Sequence, residues 1–188
     1  IEAKKPKYLL LENVKNLVSK KFKPQFDEWL AYLESLGYTN YWKVLNAKDY
    51  GVPQSRPRAI TIMYKKNKQW KWPRKQKEIT LKEAIGHLPS LESGEKSDIK
   101  YHNSRKHLDT HVLWMKHTPT GCSAHDNKEF YPVKKDGTKI KGFNATYKRM
   151  KWDAPAPALT MRSDAISSQE NVHPGRKLKD GTYSDARV

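Results

Sequence analysis

An acid and two arginines are the residues of this sequence best suited to chemistry. Glu12 directly follows the apolar run Tyr8–Leu11, and Arg56 and Arg58 stand at alternate positions just before a second apolar run, 59–64. If the two runs form neighbouring strands, a carboxyl group and a guanidinium fork meet at one edge of a sheet. Because these groups pair in one plane and hydrogen-bond in fixed directions, the pattern predicts a site for a small planar polar ring such as a nucleobase.

Two interpretations of Glu12 stay open on spacing alone. In open α/β sheets, ligand chemistry collects beyond the carboxyl ends of the strands, which favours a functional acid. A solvated acid, or a charge at the start of a helix, fits the same position equally well.

Three strands and one helix are predicted to position these residues. The unbroken apolar run Tyr8–Leu11 is typical of a strand covered on both faces. Strands are also predicted at 41–45 and 58–64, and the turn-rich link between them favours an antiparallel pair. A covering helix is predicted from apolar residues at helical spacing and from its terminal signals, which are Pro24, Phe26, Trp29, Leu30, Leu33, Leu36 and Gly37.

The second half of the chain has a different texture. Thr80 to Glu83 has the form of a capping box that opens a short helix through Leu88. Asn103 is predicted to cap a further helix with apolar residues at 108, 112 and 115. Asp136-Gly137 predicts a hairpin turn, and a stiff proline-containing linker, 152–160, leads into a short strand.

Composition points to a polyanionic partner. The 188 residues carry 37 Lys and Arg against 20 Asp and Glu, a formal net charge of +17. Such an excess favours nucleic acid over a membrane, since no apolar run approaches the roughly 20 residues needed to span a bilayer. The lone Cys122 suits a reducing cytoplasm, and the opening at Ile1 suggests a piece of a longer protein. His107 and His111 stand four apart without a third ligand, so no metal site is predicted.

Taken together, the motifs resemble the C-terminal half of a DNA (cytosine-5)-methyltransferase. The resemblance covers essentially the whole chain. It rests on Glu12-Asn13-Val14, on Asn46-Ala47 through Gly51-Val52-Pro53-Gln54 with Arg56 and Arg58, on Trp152–Thr160, and on His173-Pro174 with Arg176.

The resemblance implies a fold and a domain order. The fold class is α/β: a partial Rossmann-like methyltransferase sheet of three strands and a covering helix, plus a mixed, loop-rich target-recognition domain. Residues 1–68 would be the end of the catalytic sheet, 69–150 the recognition domain, and 151–188 a segment returning toward the catalytic domain. The partner is double-stranded DNA, which places the protein at the nucleoid.

The resemblance also assigns roles to individual residues. Glu12 would contact ring nitrogen N3 and the exocyclic amine of a flipped-out cytosine, and Arg58 its carbonyl oxygen while holding the glutamate. To donate a proton to N3 the carboxyl group must be protonated, which burial favours and Arg58 opposes. Gln54 and Arg56 would bind phosphate or support the site, with Asn13 as a brace. Candidate DNA contacts are Thr118, Thr120, Ser123, Arg149 and Arg162.

The sequence departs from the family in its catalytic parts. The family's nucleophile lies in a Pro-Cys loop before the Glu-Asn-Val motif, and Cys122 lies in the recognition region instead. The Gly-rich motif for S-adenosyl-L-methionine is also missing, so the complete enzyme would use this cofactor whereas this chain alone is expected to bind none. A missing N-terminal half, on the same polypeptide or a separate chain, is therefore predicted as a partner. Without it, the exposed edge of the first strand predicts self-association or local disorder. A non-catalytic basic DNA- or RNA-binding module is the alternative.

Overall fold

A computed structural model of the protein describes residues 1–65, 70–159 and 164–188. The chain divides into two compact units, Ile1–Glu78 and Ile79–Val188. This division lies later along the chain than the predicted boundary after 68, and 151–188 belongs to the same unit as 79–150. The elements are β1 (Tyr8–Val14), α1 (Lys23–Ser35), β2 (Thr39–Asn46), β3 (Gln54–Ser55), β4 (Pro57–Tyr64), α2 (Leu81–Ile85), α3 (Asp109–Lys116) and β5 (Ala156–Pro157).

The first unit is built on an antiparallel sheet with strand order β1-β4-β2. Both neighbours of β4 run antiparallel to it, and the register pairs Glu12 with Ile60 and Val14 with Arg58. The three predicted strands and their pairing are confirmed. The first strand continues to Val14, so Glu12 lies inside the strand and not beyond its end.

Helix α1 covers one face of this sheet, as predicted. Leu33 packs with Met63 and with Leu9 and Leu11 of β1. The helix has a proline in its first turn and ends at Ser35. Gly37 follows the C-terminal cap, and its φ of +83° is the left-handed conformation that glycine adopts without strain.

The other face of the sheet is open at β1. Successive side chains of a strand point to opposite faces, and Tyr8 and Leu10 are 66% and 70% exposed. The expectation of a strand covered on both faces is therefore wrong for β1 in this chain. We call the side of β1 that carries Tyr8, Leu10, Glu12 and Val14 the open face.

The second unit is mostly loops held by two small apolar clusters. Trp114, Met115 and Val172 centre one cluster, and Leu81 and Met150 the other. The capping box is present, with the Thr80 hydroxyl accepting from Glu83 N at 3.2 Å and the Glu83 carboxylate accepting from Thr80 N at 2.8 Å.

Two expectations for the second unit are wrong. Asn103 does not cap a helix: it forms an isolated bridge with Lys96, and α3 begins at Asp109 after Leu108. Helix α2 ends at Ile85, short of Leu88. The strand predicted to follow the linker begins at residues that lie outside the described ones, and within the linker itself Ala156–Pro157 forms a two-residue strand. In contrast, the hairpin turn is confirmed, with Gly137 at φ +82°.

Candidate active site: an acid and a guanidinium on one sheet face

Glu12 and Arg58 meet across two neighbouring strands. Glu12 pairs with Ile60 in the register of β1 and β4, and Arg58 is two residues from Ile60, so both side chains rise from the same face. Arg58 Nε donates a hydrogen bond to Glu12 Oε1 at 2.7 Å. The predicted contact between acid and guanidinium is thus present.

The pair is accessible from solvent. The Glu12 side chain is 49% exposed and that of Arg58 20%. Arg58 Nη1 also donates to Pro57 O at 2.9 Å, which limits rotation of the guanidinium. Since a guanidinium carries five N–H donors, Arg58 can hold Glu12 and still donate to a carbonyl oxygen of a ligand. The burial that would favour a protonated Glu12 is not supplied by this chain.

A residue outside the predicted site set, Asn46, braces the loop that leads into Arg56. Its Oδ1 accepts the Arg56 backbone N–H at 2.7 Å, and its Nδ2 donates to Ser55 Oγ at 3.2 Å. Asn46 also precedes the short 3-10 helix Ala47–Tyr50, whose end is the left-handed Gly51. An asparagine just before a helical turn is the sequence signal that identifies such a brace.

The predicted supporting residues do not all join the pair. Asn13 follows Glu12 in the strand and therefore points to the opposite face, where it lines a cavity of about 170 Å³ beneath α1. Its Oδ1 accepts the Val14 N–H at 2.8 Å. Gln54 and Arg56 lie half-buried in the braced loop. An acid, a guanidinium and a rigid loop beside them can bind a planar ring that offers both donors and acceptors.

The family model described as C-5 cytosine-specific DNA methylase matches residues 1–187. The chain belongs to this family.

Two relatives of this chain carry the name Type II methyltransferase. The Type II methyltransferase M1.HgaI of Avibacterium volantium is 48% identical, in an alignment that covers 100% of this chain and 54% of that protein. M1.HphI of Haemophilus parahaemolyticus is 31% identical over 85% of this chain and 42% of its own length. The chain therefore spans about half the length of the curated relatives it matches.

A solved structure supports the fold. A prophage-encoded DNA modification methyltransferase of E. coli superposes with a TM-score of 0.54, covering 82% of this chain and 53% of that chain at 17% identity. At this identity the likeness speaks for the fold alone. It agrees with an α/β methyltransferase sheet of Rossmann-like type.

Membership of the C-5 cytosine methylases implies S-adenosyl-L-methionine as methyl donor. The turn that follows β1 does not fit this cofactor. In the first unit, β1 passes into the short helix Lys15–Val18 and then into α1 without a glycine between residues 15 and 22, whereas a cofactor cradle at a strand-to-helix turn needs glycines for close backbone approach. Residues of this turn are therefore given no role in holding the cofactor.

Three of the predicted DNA contacts are buried, which corrects that expectation. Thr118, Ser123 and Arg149 are each 0% exposed. The Thr118 hydroxyl donates to Trp114 O at 2.7 Å, and the Ser123 hydroxyl to Thr146 O at 2.8 Å. Side chains without exposed surface cannot touch a nucleic acid in this conformation.

Thr120 and Arg162 are the other two predicted DNA contacts. Thr120 is half-buried, and its hydroxyl donates to Pro174 O at 2.7 Å. Arg162 lies outside the described residues.

Arg149 is the centre of a buried polar cluster in the second unit. Its guanidinium donates to the carbonyl oxygens of Met115 at 2.9 Å, His173 at 2.7 Å and Asp185 at 3.0 Å. Desolvation lowers the pKa of Arg149 to about 10, so it stays charged at neutral pH. Asp185 is also fully buried and accepts hydrogen bonds from Leu91 N and Ser184 Oγ.

Arg176 and His173, two residues of the resemblance, belong to the same cluster. Arg176 donates to Leu88 O at 2.8 Å and to Ser90 Oγ at 3.0 Å. These bonds tie the start of the second unit to its end. We therefore read the cluster as a structural centre of this unit.

The histidines do not assemble a metal site. Among the described residues, no group of three His, Cys, Asp or Glu side chains could hold a metal ion. Burial lowers the pKa of both His107 and His111, and His111 packs against Trp114 and Tyr147.

In the part of the chain that the structure describes, no helix is long and apolar enough to cross a membrane.

Proposed function

We propose that this chain is the C-terminal part of a DNA (cytosine-5)-methyltransferase and supplies residues that bind the flipped target cytosine. Transfer of a methyl group from S-adenosyl-L-methionine to carbon 5 is the reaction of the complete protein. The chain alone is inactive in this proposal, because the nucleophile and the cofactor site belong to the half of the relatives' length that it does not span. The complete enzyme works on DNA at the nucleoid, in the cytoplasm.

One observation carries the proposal: Arg58 Nε donates to Glu12 Oε1 at 2.7 Å on the open face. A non-catalytic binding module gives no reason for this pairing between neighbouring strands. The family membership of the whole chain supports the same conclusion.

The chemistry assigned to the pair is hydrogen bonding and proton placement. One Glu12 oxygen accepts from the exocyclic amine of cytosine, and the other, when protonated, donates to ring nitrogen N3. A proton donated to N3 offsets the negative charge that develops on the ring when a nucleophile attacks carbon 6, so the attack becomes easier. Arg58 donates to the carbonyl oxygen of the ring and fixes the Glu12 side chain, because a guanidinium offers directed N–H groups.

The bound base itself supplies the burial that Glu12 lacks. Glu12 is half exposed in this chain, and a ring that hydrogen-bonds to it through its edge removes water from the carboxyl group. Desolvation favours the neutral carboxyl, so protonation and base binding support one another. Gln54 and Arg56, in the loop that Asn46 braces, are assigned to the DNA backbone beside the base.

The positive charge of the chain serves DNA binding. Extracting a base from the stack costs a few kcal/mol, which contacts to phosphate must offset. A formal charge of +17 provides many cations for this. We assign target recognition to the second unit, Ile79–Val188.

The experiment that tests the proposal is reconstitution. The chain is combined with a fragment that carries the Pro-Cys loop and the cofactor motifs of a relative, and methyl transfer to DNA is measured. Glu12→Gln removes the proton donor while keeping the shape, and we expect the rate to fall by roughly 100-fold or more.

The matched control is Glu28→Gln. Glu28 is an exposed acid on α1, and α1 packs on the face of the sheet opposite to Glu12. This variant should retain the wild-type rate. Equal rates for the Glu12→Gln variant and the wild-type protein would refute the role assigned to Glu12.

A further inference from the structure

One loop of the second unit presents an aromatic ring to solvent among lysines. Phe143 is 85% exposed, although burying such a ring normally stabilises a protein. The exposed residues around it along the chain include four lysines and one acid, Asp136, and the lysines are Lys134, Lys135, Lys139 and Lys141.

The loop is fixed at its base. Thr146 N and Thr146 Oγ1 both donate to Phe143 O, at 2.9 and 2.8 Å. His125 Nε2 is hydrogen-bonded to Thr146 Oγ1 at 3.1 Å, and the buried Ser123 hydroxyl donates to Thr146 O. The backbone that carries the ring is therefore held to the core of the unit while the ring itself projects outward.

Gly142 lets this loop approach His125 closely. A methyl group at position 142 would collide with the His125 imidazole and come within 3.2 Å of Thr146 Oγ1. The imidazole in turn lies edge-on to the Tyr147 ring, with 5.6 Å between ring centroids. A larger residue at 142 must displace the loop or the histidine, so Gly142 positions Phe143.

We propose that Phe143 is a wedge that inserts between stacked bases of duplex DNA. Apolar side chains such as Phe are the ones that DNA-bending proteins insert between base steps. The exposed lysines that precede Phe143 in the chain can neutralise phosphates near the insertion point. A protein partner is the less suitable occupant, because covering a segment that carries four exposed lysines would leave several charges to be desolvated. The inference rests on the proposed function only in that the chain binds DNA.

A short duplex with a single abasic position tests the wedge without knowledge of the target sequence. An abasic position has lost the stacking that a wedge must otherwise disrupt, so the 188-residue chain should bind it more tightly than the intact duplex. From the contribution of stacking on one base, we expect a preference of roughly 5- to 100-fold. Dissociation constants for both duplexes are measured by fluorescence anisotropy.

Variants of the loop then identify the ring as the cause. Phe143→Ala and Gly142→Ala should bring the preference close to one, whereas Phe143→Trp should keep it. The salt dependence of binding should not change in Phe143→Ala, because a phenyl ring neutralises no phosphate. Lys141→Ala should reduce the slope of log K against log salt by about 0.9.

Leu178→Ala is the matched control. Leu178 is also an apolar side chain, 46% exposed, on a lysine-bearing hairpin of the same unit. It should leave the preference intact. Absence of a preference in the wild-type chain, or an unchanged preference in Phe143→Ala, would overturn the wedge.

The two proposals fail separately. Methyl transfer that does not depend on Glu12 would remove the proposed catalytic role while the abasic preference remained. Conversely, Glu12-dependent transfer with no effect of Phe143 on abasic binding would remove the wedge and leave the catalytic role intact.

Discussion

Glu12 and Arg58 are far apart in sequence and adjacent in space because one strand register brings them together. Glu12 faces the same side as Arg58 only because β1 and β4 pair with Glu12 opposite Ile60. A shift of one residue would turn the carboxyl group toward α1, since side chains alternate along a strand. The site therefore depends on the register as much as on the two residue types.

Arg58→Lys tests whether the fork of the guanidinium matters beyond its charge. Lysine keeps the positive charge but cannot hold Glu12 and donate to the base in one plane. Loss of a charged hydrogen bond predicts a fall in kcat/KM for methyl transfer of about 10- to 100-fold in the reconstituted enzyme.

The same exchange at the exposed Arg74 of the first unit should have no effect. A full rate in the Arg58→Lys variant would show that charge alone suffices and that the planar arrangement is not used.

At the residue scale, sequence reasoning found the acid and the arginine but misjudged polar residues of the second unit. Thr118, Ser123 and Arg149 looked like surface groups because they are polar and lie among lysines. Each instead satisfies backbone carbonyls inside the fold. Whether a polar side chain faces outward or inward depends on distant segments that pack around it, which no local pattern contains.

At the scale of elements, local signals were the reliable ones. The capping box at Thr80 and the left-handed Gly37 were predicted because their residues act on their own neighbours in the chain. The prediction for Asn103 was wrong because it also relied on residue type alone. Asparagine suits a helix cap, but Asn103 forms an isolated β-bridge with Lys96, and α3 begins only at Asp109. The covering of β1 could not be predicted, since it depends on what else packs against the sheet.

The buried polar cluster around Arg149, which includes His173 and Asp185, predicts that acid destabilises the second unit. Burial lowers the pKa of His173 to about 3 from its usual 6.5, against the nearby charge of Asp185 and with the help of Arg187, Arg149 and Arg176. His173 Nδ1 accepts the Gly175 N–H at 3.1 Å, which requires the neutral ring. Because the unfolded chain binds this proton below about pH 6.5 and the folded chain only near pH 3, the stabilisation is complete above pH 6.5 and is lost as the pH falls toward 3.

Urea unfolding between these pH values measures the effect. The free energy of unfolding should fall by up to about 1.4 kcal/mol per pH unit from this one proton. In a His173→Asn variant the dependence should be shallower, and an equally steep dependence in both proteins would exclude His173 as its source.

At the scale of the whole molecule, the open face of β1 is the feature that the chain does not cover. β1 lies at the end of the described strand order, and Tyr8, Leu10 and Val14 are more than half exposed. Unpaired apolar edge strands recruit further strands. In the proposed function, the rest of the methyltransferase pairs with β1 and covers its open face.

The isolated chain should therefore self-associate with rising concentration, and Leu10→Lys should shift it toward the monomer because it places a charge on the open face. Sedimentation velocity measures both. Val52→Lys, which replaces an apolar residue that is 45% exposed in a loop, serves as the control. A wild-type chain that stays monomeric at high concentration would contradict the prediction.

A double-mutant cycle on the reconstituted enzyme is the most direct test of the contact between Glu12 and the target cytosine. After the methylated site is mapped, the target cytosine is replaced by 2-pyrimidinone, which lacks the exocyclic amine, and binding is compared in the wild-type protein and Glu12→Ala. If Glu12 accepts from that amine, the change in binding free energy on removing the amine differs between the wild-type protein and Glu12→Ala, with a coupling energy of about 0.5–3 kcal/mol. Strictly additive losses would mean that Glu12 does not touch the base, and the account would fall.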